Sequence, residues 1–284
     1  MTNMLPNIPA ELHDPQQISF SFVIVTRNNP EELQQTVHSI CRELPESSEI
    51  VIVDGSDEPF GFECIKNMLG DASAPIVYRL DEKKGVYHAQ NIGISCSSGQ
   101  WIIVINSGDT LEQGARTHLD SIRDSKDDLI VFGQNVVDMY GKLAYACHPT
   151  ADSVWPHQSV VAHRRVHNKF GLYPESFRFT SEQLFYAQIR NSIKFSIRNE
   201  VISVFRLGGL TSGASLARSK EIFVVRRALG AGVLYSTASA FIFPYIRYML
   251  ERYQVLAPLV TTLRKLLYPC YRTCQPAKND TTTK

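Results

Sequence analysis

Three short runs constrain this chain more than anything else in it: Ile18 to Thr26 (ISFSFVIVT), Glu49 to Asp54 (EIVIVD) and Trp101 to Asn106 (WIIVIN). Each is β-branched and apolar over most of its length, as a strand buried on both faces of a parallel sheet must be. Each also stops abruptly at polar residues. After the first, Asn29 is placed as a helix N-cap with Pro30 as the first helical residue and Glu32 as the third, an arrangement close to a capping box. Leu33, Val37 and Ile40 then recur at helical spacing. After the second come a turn at Gly55 to Pro59, a helix reaching Met68 and a short strand at Ile76 to Arg79. A helical stretch from Val86 to Ser95 and a break at Ser97-Ser98-Gly99 lead into the third. Strands and helices alternating at this spacing predict βαβ units in one doubly wound, mostly parallel α/β sheet.

Beyond Thr110 the rhythm becomes mixed. Leu129 to Val137 and Lys142 to Ala146, joined through Tyr140-Gly141, read as a hairpin, and Lys194 to Leu207 as a further strand. From Ser219 a helical pattern runs through Arg226-Arg227 into the uncharged stretch Ala228 to Ile246. The expected organisation is an N-terminal extension (1–17), a domain over 18–213 whose pattern changes after residue 110, and a helical basic extension (214–284).

Charge supports that last division. The net charge of +1 gives no nucleic-acid footprint, but residues 1–217 carry −7 and residues 218–284 carry +8. Six cysteines without a CxxC pair signal neither a zinc site nor a disulfide framework. The start, MTNMLPNIPAELHDPQQ, has no basic n-region or apolar h-region. Both point to a cytoplasmic, reducing setting.

In open α/β sheets ligands bind beyond the carboxyl ends of the strands, which here carry Thr26, Arg27 and Asn28; Asp54, Ser56 and Asp57; and Asn106, Ser107, Gly108 and Asp109. Such residues also make ordinary turns. Three clusters on one rim, with neither G-x-G-x-x-G nor G-x-x-x-x-G-K-[ST], point instead to a phosphate held through a carboxylate-bound Mg²⁺ or Mn²⁺. Asp109 is the leading candidate ligand.

The order FSFVIVTRN (from Phe20), VDGS (from Val53), GVYHAQNIGI (from Gly85), SGQWIIVINSGD (from Ser98) and WPHQ (from Trp155) resembles the family 2 glycosyltransferases, especially bacterial enzymes of exopolysaccharide and colanic-acid type. The resemblance covers roughly residues 18 to 213 and implies a nucleotide-binding half (18–110) and an acceptor-binding half (111–213). It implies the GT-A fold, a nucleotide-sugar donor, a divalent cation and an inverting transfer. By position it implies that Thr26 and Asp54 contact base and ribose with Asn28 nearby, and that Asn91 lines the donor site. Asn106, Ser107, Gly108 and Asp109 stand where the family has its D-x-D-like motif, Asp109 on the metal, and His157 and Gln158 lie near the diphosphate or acceptor. Thr180-Ser181-Glu182 matches the position of the base with Glu182 in place of Asp; Glu175 is the fallback, and a helix-end charge is the plain alternative for Glu182. The turn VDGSDEP departs from the usual glycine- and serine-rich one, and His88 stands where relatives often have Asp. Gly208 to Ser212 resembles the family's glycine-rich stretch after the last strand.

The uncharged Ala228–Ile246 stretch is 19 residues long, close to the ~20 of a membrane span. Its glycines, hydroxyls and proline, and the tyrosines in and beyond it, suit an interface. A packed helical pair and a true span are the alternatives. The acceptor expected of such a relative is a lipid-linked saccharide at the inner face of the cell membrane. The competing function is a catalytically weak glycosyltransferase-like subunit that organises a membrane assembly. A sugar nucleotidyltransferase fits less well, since no glycine-rich loop with a basic residue follows the first strand.

Overall fold

The computed structural model describes residues 18–70, 74–208 and 215–245. The extension 1–17, the glycine-rich residues 209–212 and the segment 246–284 singled out above lie outside them. Strand β1 (Phe20–Thr26) leads through α1 (Pro30–Arg42) to β2 (Ser48–Asp54), α2 (Phe62–Leu69), β3 (Ile76–Leu80), α3 (Val86–Cys96) and β4 (Trp101–Asn106). These four strands are parallel in the order β3-β2-β1-β4. Because successive strand side chains face opposite ways, the apolar runs divide between two layers. Phe20, Phe22 and Ile24 join Ile50, Ile52, Ile103 and Ile105 against Leu33, Val37 and Ile40 of α1. Val23, Val51, Ile102 and Val104 pack with Tyr87 and Ile94 of α3 on the other face. A Cβ at Gly93 would lie 2.3 Å from Cγ1 of Val23, so α3 reaches its packing depth only with glycine there. Asn29 caps α1 as expected, its Oδ1 accepting from the Glu32 N–H at 3.1 Å.

The chain continues through β5 (Thr110–Leu111), α4 (Ala115–Asp120), β6 (Leu129–Val137), β7 (Leu143–Cys147), a 3-10 turn (His157–Ser159), β8 (Val160–His163), α5 (Arg164–Phe170), α6 (Ser181–Ile189) and β9 (Phe195–Arg206). β8 lies antiparallel between β4 and β6, and β9 runs parallel beside β6. One sheet, β3-β2-β1-β4-β8-β6-β9-β5 with β7 on the far half of β6, thus runs unbroken across both halves of the domain.

The C-terminal part differs from expectation. In place of one helical run, α7 (Leu216–Ala228) is separated from α8 (Val233–Thr237) and a following π-helical turn (Ala238–Ile242). Gly230, at φ +82°, makes the break. Among the described residues no helix is long and apolar enough to cross a membrane.

Candidate active site

The parallel registers bring four strand ends to one rim: Thr26 pairs with Asp54, Asp54 with Leu80, and Asn106 with Val25. α1 and α3 leave on opposite faces, so the crevice between β1 and β4 is a topological switch point. Three buried polar atoms there have no hydrogen-bond partner: Thr26 Oγ1, Gln90 Oε1 and Ser107 Oγ. Buried polar atoms are usually bonded; Asp81 Oδ1, just after β3, and His88 Nε2 have no hydrogen-bond partner either.

Asn28, at φ +56°, exchanges two 2.8 Å hydrogen bonds with Asp57: its Nδ2 donates to Oδ2, and its Oδ1 accepts from the Asp57 N–H. Its own N–H donates to Ser56 Oγ at 2.8 Å. The Asn28 amide and then Lys83 hold the Asp57 carboxyl below the usual range.

Asp54, expected at base and ribose, also carries a structural load. It is 1% exposed. Oδ1 accepts from the Ser56 N–H at 2.8 Å, and Oδ2 from the Phe60 N–H at 2.8 Å and the Tyr78 hydroxyl at 2.7 Å. Asp54→Ala would strand three donors, each costing about 1–3 kcal/mol when buried. Since the loop can relax towards water, we expect urea unfolding to show a total loss of about 3 kcal/mol. A loss under about 1 kcal/mol would show that the loop re-forms without its carboxylate.

The remaining candidates meet around the 3-10 turn. Gln158 Nε2 donates to Asp109 Oδ2 at 2.8 Å, and the Arg206 N–H donates to Oδ1 at 3.3 Å. Burial pushes the Asp109 pKa up to about 6, against the opposing effect of Gln158. The preceding residue, His157, holds the other carboxylate: its Nδ1 lies 3.6 Å from Glu182 Oε1. Its Nε2 is 3.1 Å from Asn106 Nδ2, and Asn106 Oδ1 in turn accepts from Gln90 at 2.9 Å. Assigned from this network, His157 accepts at Nε2 and carries its proton on Nδ1, towards Glu182. Tyr87 donates its hydroxyl to Glu182 Oε2. Burial, and then the adjacent carboxylate, raise the Tyr87 pKa and keep its phenol protonated.

Three of the residues expected at donor, diphosphate or acceptor bond to other protein groups. The Gln158 amide is used on Asp109 and on Gln134, whose Nε2 donates to Gln158 Oε1 at 3.0 Å. Asn91 clips the loop ahead of α6, its Nδ2 donating to Tyr173 O at 2.9 Å and to Glu175 Oε1 at 3.1 Å, its Oδ1 accepting from the Tyr173 N–H at 3.0 Å. Asn106 serves Gln90 and His157. The fallback Glu175 is held by Asn91 and His88, which lower its pKa and make it a weaker proton acceptor.

Sequence reasoning missed Tyr87, Thr36 and Arg206. Thr36, fully buried within the apolar stripe of α1, donates to Asp109 O at 2.7 Å and accepts from the Gly108 N–H at 3.0 Å. It pins the Asp109 turn to the helix. Arg206 ends β9 beside Asp109, and its buried Nε has no hydrogen-bond partner.

A 3-2-1-4 parallel half, a mixed second half and two buried carboxylates at the switch point define a GT-A protein. Residues 21–175, more than half of the 284-residue chain, match Glycosyl transferase family 2, and the chain belongs to that family. It is 28% identical over 114 residues to glycosyltransferase GlyG of Streptococcus pneumoniae, a match spanning 40% of this chain and 38% of that protein. It is 27% identical over 92 residues to a PGL/p-HBAD biosynthesis glycosyltransferase of Mycobacterium tuberculosis, spanning 32% of this chain and 36% of the relative. The matched part is thus little more than a third of either relative's length. Crystal structures of S. aureus TarS share the fold: one superposes with a TM-score of 0.59 at 12% identity, covering 89% of this chain and 80% of TarS. A complex of TarS with UDP-GlcNAc gives 0.59 at 14% identity, covering 87% and 79%.

Proposed function

We propose that this chain is an inverting glycosyltransferase that moves a sugar from a nucleotide-sugar donor to a saccharide acceptor. One observation carries the reading: adjacent residues of one turn hold two buried carboxylates, Gln158 holding Asp109 and His157 facing Glu182. An inverting transfer needs one site for the leaving diphosphate and one base for the incoming hydroxyl. In this reading Asp109 serves the first, Glu182 the second, and Thr26, Ser107 and Asp54 frame the nucleotide with Asn28 beside them.

No group of three or more His, Cys, Asp and Glu side chains among the described residues is arranged to hold a metal, so a cation held by those residues alone does not fit. A cation shared with a diphosphate does. Each Asp109 oxygen accepts one hydrogen bond and keeps a further lone pair, and the buried carboxylate is a hard oxygen donor of the kind Mg²⁺ and Mn²⁺ take. When bound, such an ion would offset charge growing on the diphosphate. Thr36 fixes the turn that presents Asp109; Tyr87 and His157 orient the two oxygens of Glu182 so that one can take the acceptor hydroxyl's proton.

TarS is described with UDP-GlcNAc and with UDP, so uridine nucleotides are the first ligands to test. Calorimetry with UDP and Mn²⁺ should show binding, and UDP-sugars should be hydrolysed slowly without acceptor. No binding of any nucleoside diphosphate would overturn the reading; tight binding with no transfer to water or saccharide would favour the non-catalytic subunit.

We further propose a lipid-linked acceptor in bacterial surface or exopolysaccharide synthesis, met at the inner face of the cell membrane by residues 214–284. Val233, Leu234, Ile242 and Tyr245 are exposed, and the net +8 of residues 218–284 suits an anionic leaflet at about 1 kcal/mol per well-placed cation. Co-sedimentation of the full chain should require anionic vesicles, weaken at high salt as the Debye length shortens, and fall in Leu234→Glu. Binding that ignores both lipid charge and salt would sink this surface.

A further inference from the structure

Glu221, in the middle of α7, lies in the segment expected to be a separate extension, yet its carboxylate reaches into the catalytic domain. Oε1 accepts from the Arg178 N–H at 2.7 Å, and Oε2 from the N–H groups of Phe179 at 2.8 Å and Thr180 at 2.9 Å. The Thr180 hydroxyl donates to Oε2 as well, at 3.2 Å. Thr180 is the N-cap of α6 and forms no side-chain cap of its own; Glu221 accepts, from another helix, the N–H of that N-cap and of the two residues before it, fixing the chain where it enters α6. Glu182 is the second residue of that helix. Charge-assisted bonds to three consecutive amides fix the backbone more tightly than neutral ones do.

α7 is itself packed against the segment that follows it. The Phe223 and Phe241 rings lie 6.5 Å apart and the Arg226 guanidinium sits 5.9 Å from the Tyr235 ring, with Val225, Ser239 and Ala240 buried nearby. A continuous packed path therefore leads from α8 and the π-helical turn through α7 and Glu221 to the backbone that carries Glu182.

Resting on the assignment of Glu182 as base, we propose that Glu221 is a positioning residue through which the C-terminal segment sets the aim of Glu182. A base misplaced by about 1 Å can lose up to about 10²-fold in rate with binding intact. In the full-length protein, Glu221→Ala should lower kcat by about 10- to 100-fold and leave the donor KM within about threefold. Glu221→Gln keeps one acceptor oxygen and should fall between Ala and the native chain; it also carries the test if the Ala variant does not fold. Hydrogen exchange at the amides of residues 178–180 reads the grip directly and should quicken in the same order. Native kcat in a variant whose three amides exchange faster would overturn the proposal, as would equal loss of binding and turnover in step with the folded fraction. Glu182→Gln, run alongside, separates the two claims: if it retains turnover, the base assignment has failed; if it is inactive while the Glu221 variants are not, the positioning role has.

Discussion

Glu182→Gln is expected to lower turnover by about 10²- to 10⁴-fold, the usual yield of a general base, while nucleoside diphosphate affinity stays within about threefold. The expectation rests on how well the site tolerates the amide. Glu182 has two partners, the Tyr87 hydroxyl at Oε2 and His157 Nδ1 at 3.6 Å from Oε1. A glutamine can keep its oxygen towards the imidazole and turn its NH₂ to the Tyr87 oxygen, since a phenol accepts as well as donates. The Tyr87 proton then loses its acceptor, a cost of about 1–3 kcal/mol, so the folded fraction and the nucleotide affinity of the variant separate lost proton acceptance from lost stability. Steady-state kinetics with calorimetry on the same preparation checks the split. A drop of less than about fivefold would move the role elsewhere. Glu175 is a poor heir, because Asn91 and His88 already stabilise its ionised form.

The strands that build the nucleotide half are legible because each is an apolar run long enough to be buried on both faces. α1 is legible because its cap and its stripe agree. β8 and α5, of four and seven residues, have no periodicity of their own; β8 exists because β4 and β6 pair with it from either side. The site was legible as a rim and less so as a set of contacts. A polar residue at a strand end can face a ligand or turn under the rim, and the sequence is the same in both cases. Ser107 and Thr26 keep unpartnered hydroxyls, whereas Asn91, Asn106 and Gln158 bond to other protein groups. Tyr87 and Glu182 are 95 residues apart, Thr36 and Asp109 are 73 apart, and nothing local marks either pair. Glu182 itself emerged through resemblance, since a glutamate in the first turn of a helix has a sufficient local reason to be there.

Asp109 offers a test in which function and stability move in opposite directions. A carboxyl whose pKa rises on folding from 3.8 to about 6 binds its proton more tightly in the native state than in the unfolded one. Stability therefore falls as pH rises through that window and is level above it. A rise of that size corresponds to about 3 kcal/mol, the penalty of keeping this charge buried with no cation beside it. Asp109→Asn removes the charge but sets an amide NH₂ near the Arg206 N–H, which offsets part of the gain. In chelator-treated protein at pH 7.5 the variant is thus expected to be more stable than the native chain by about 1–2 kcal/mol. At pH 4.5, where the native carboxyl is mostly protonated, the difference should shrink to a fraction of that. Binding should respond the other way: UDP affinity in Mn²⁺ is expected to fall by about 10-fold or more, because the oxygen that would hold the shared cation is gone. Urea unfolding at the two pH values reads the first effect, and calorimetry with and without Mn²⁺ reads the second. A stability difference that ignores pH would show that Asp109 does not titrate in this window. Unchanged UDP affinity in Mn²⁺ would take the carboxylate out of any metal site.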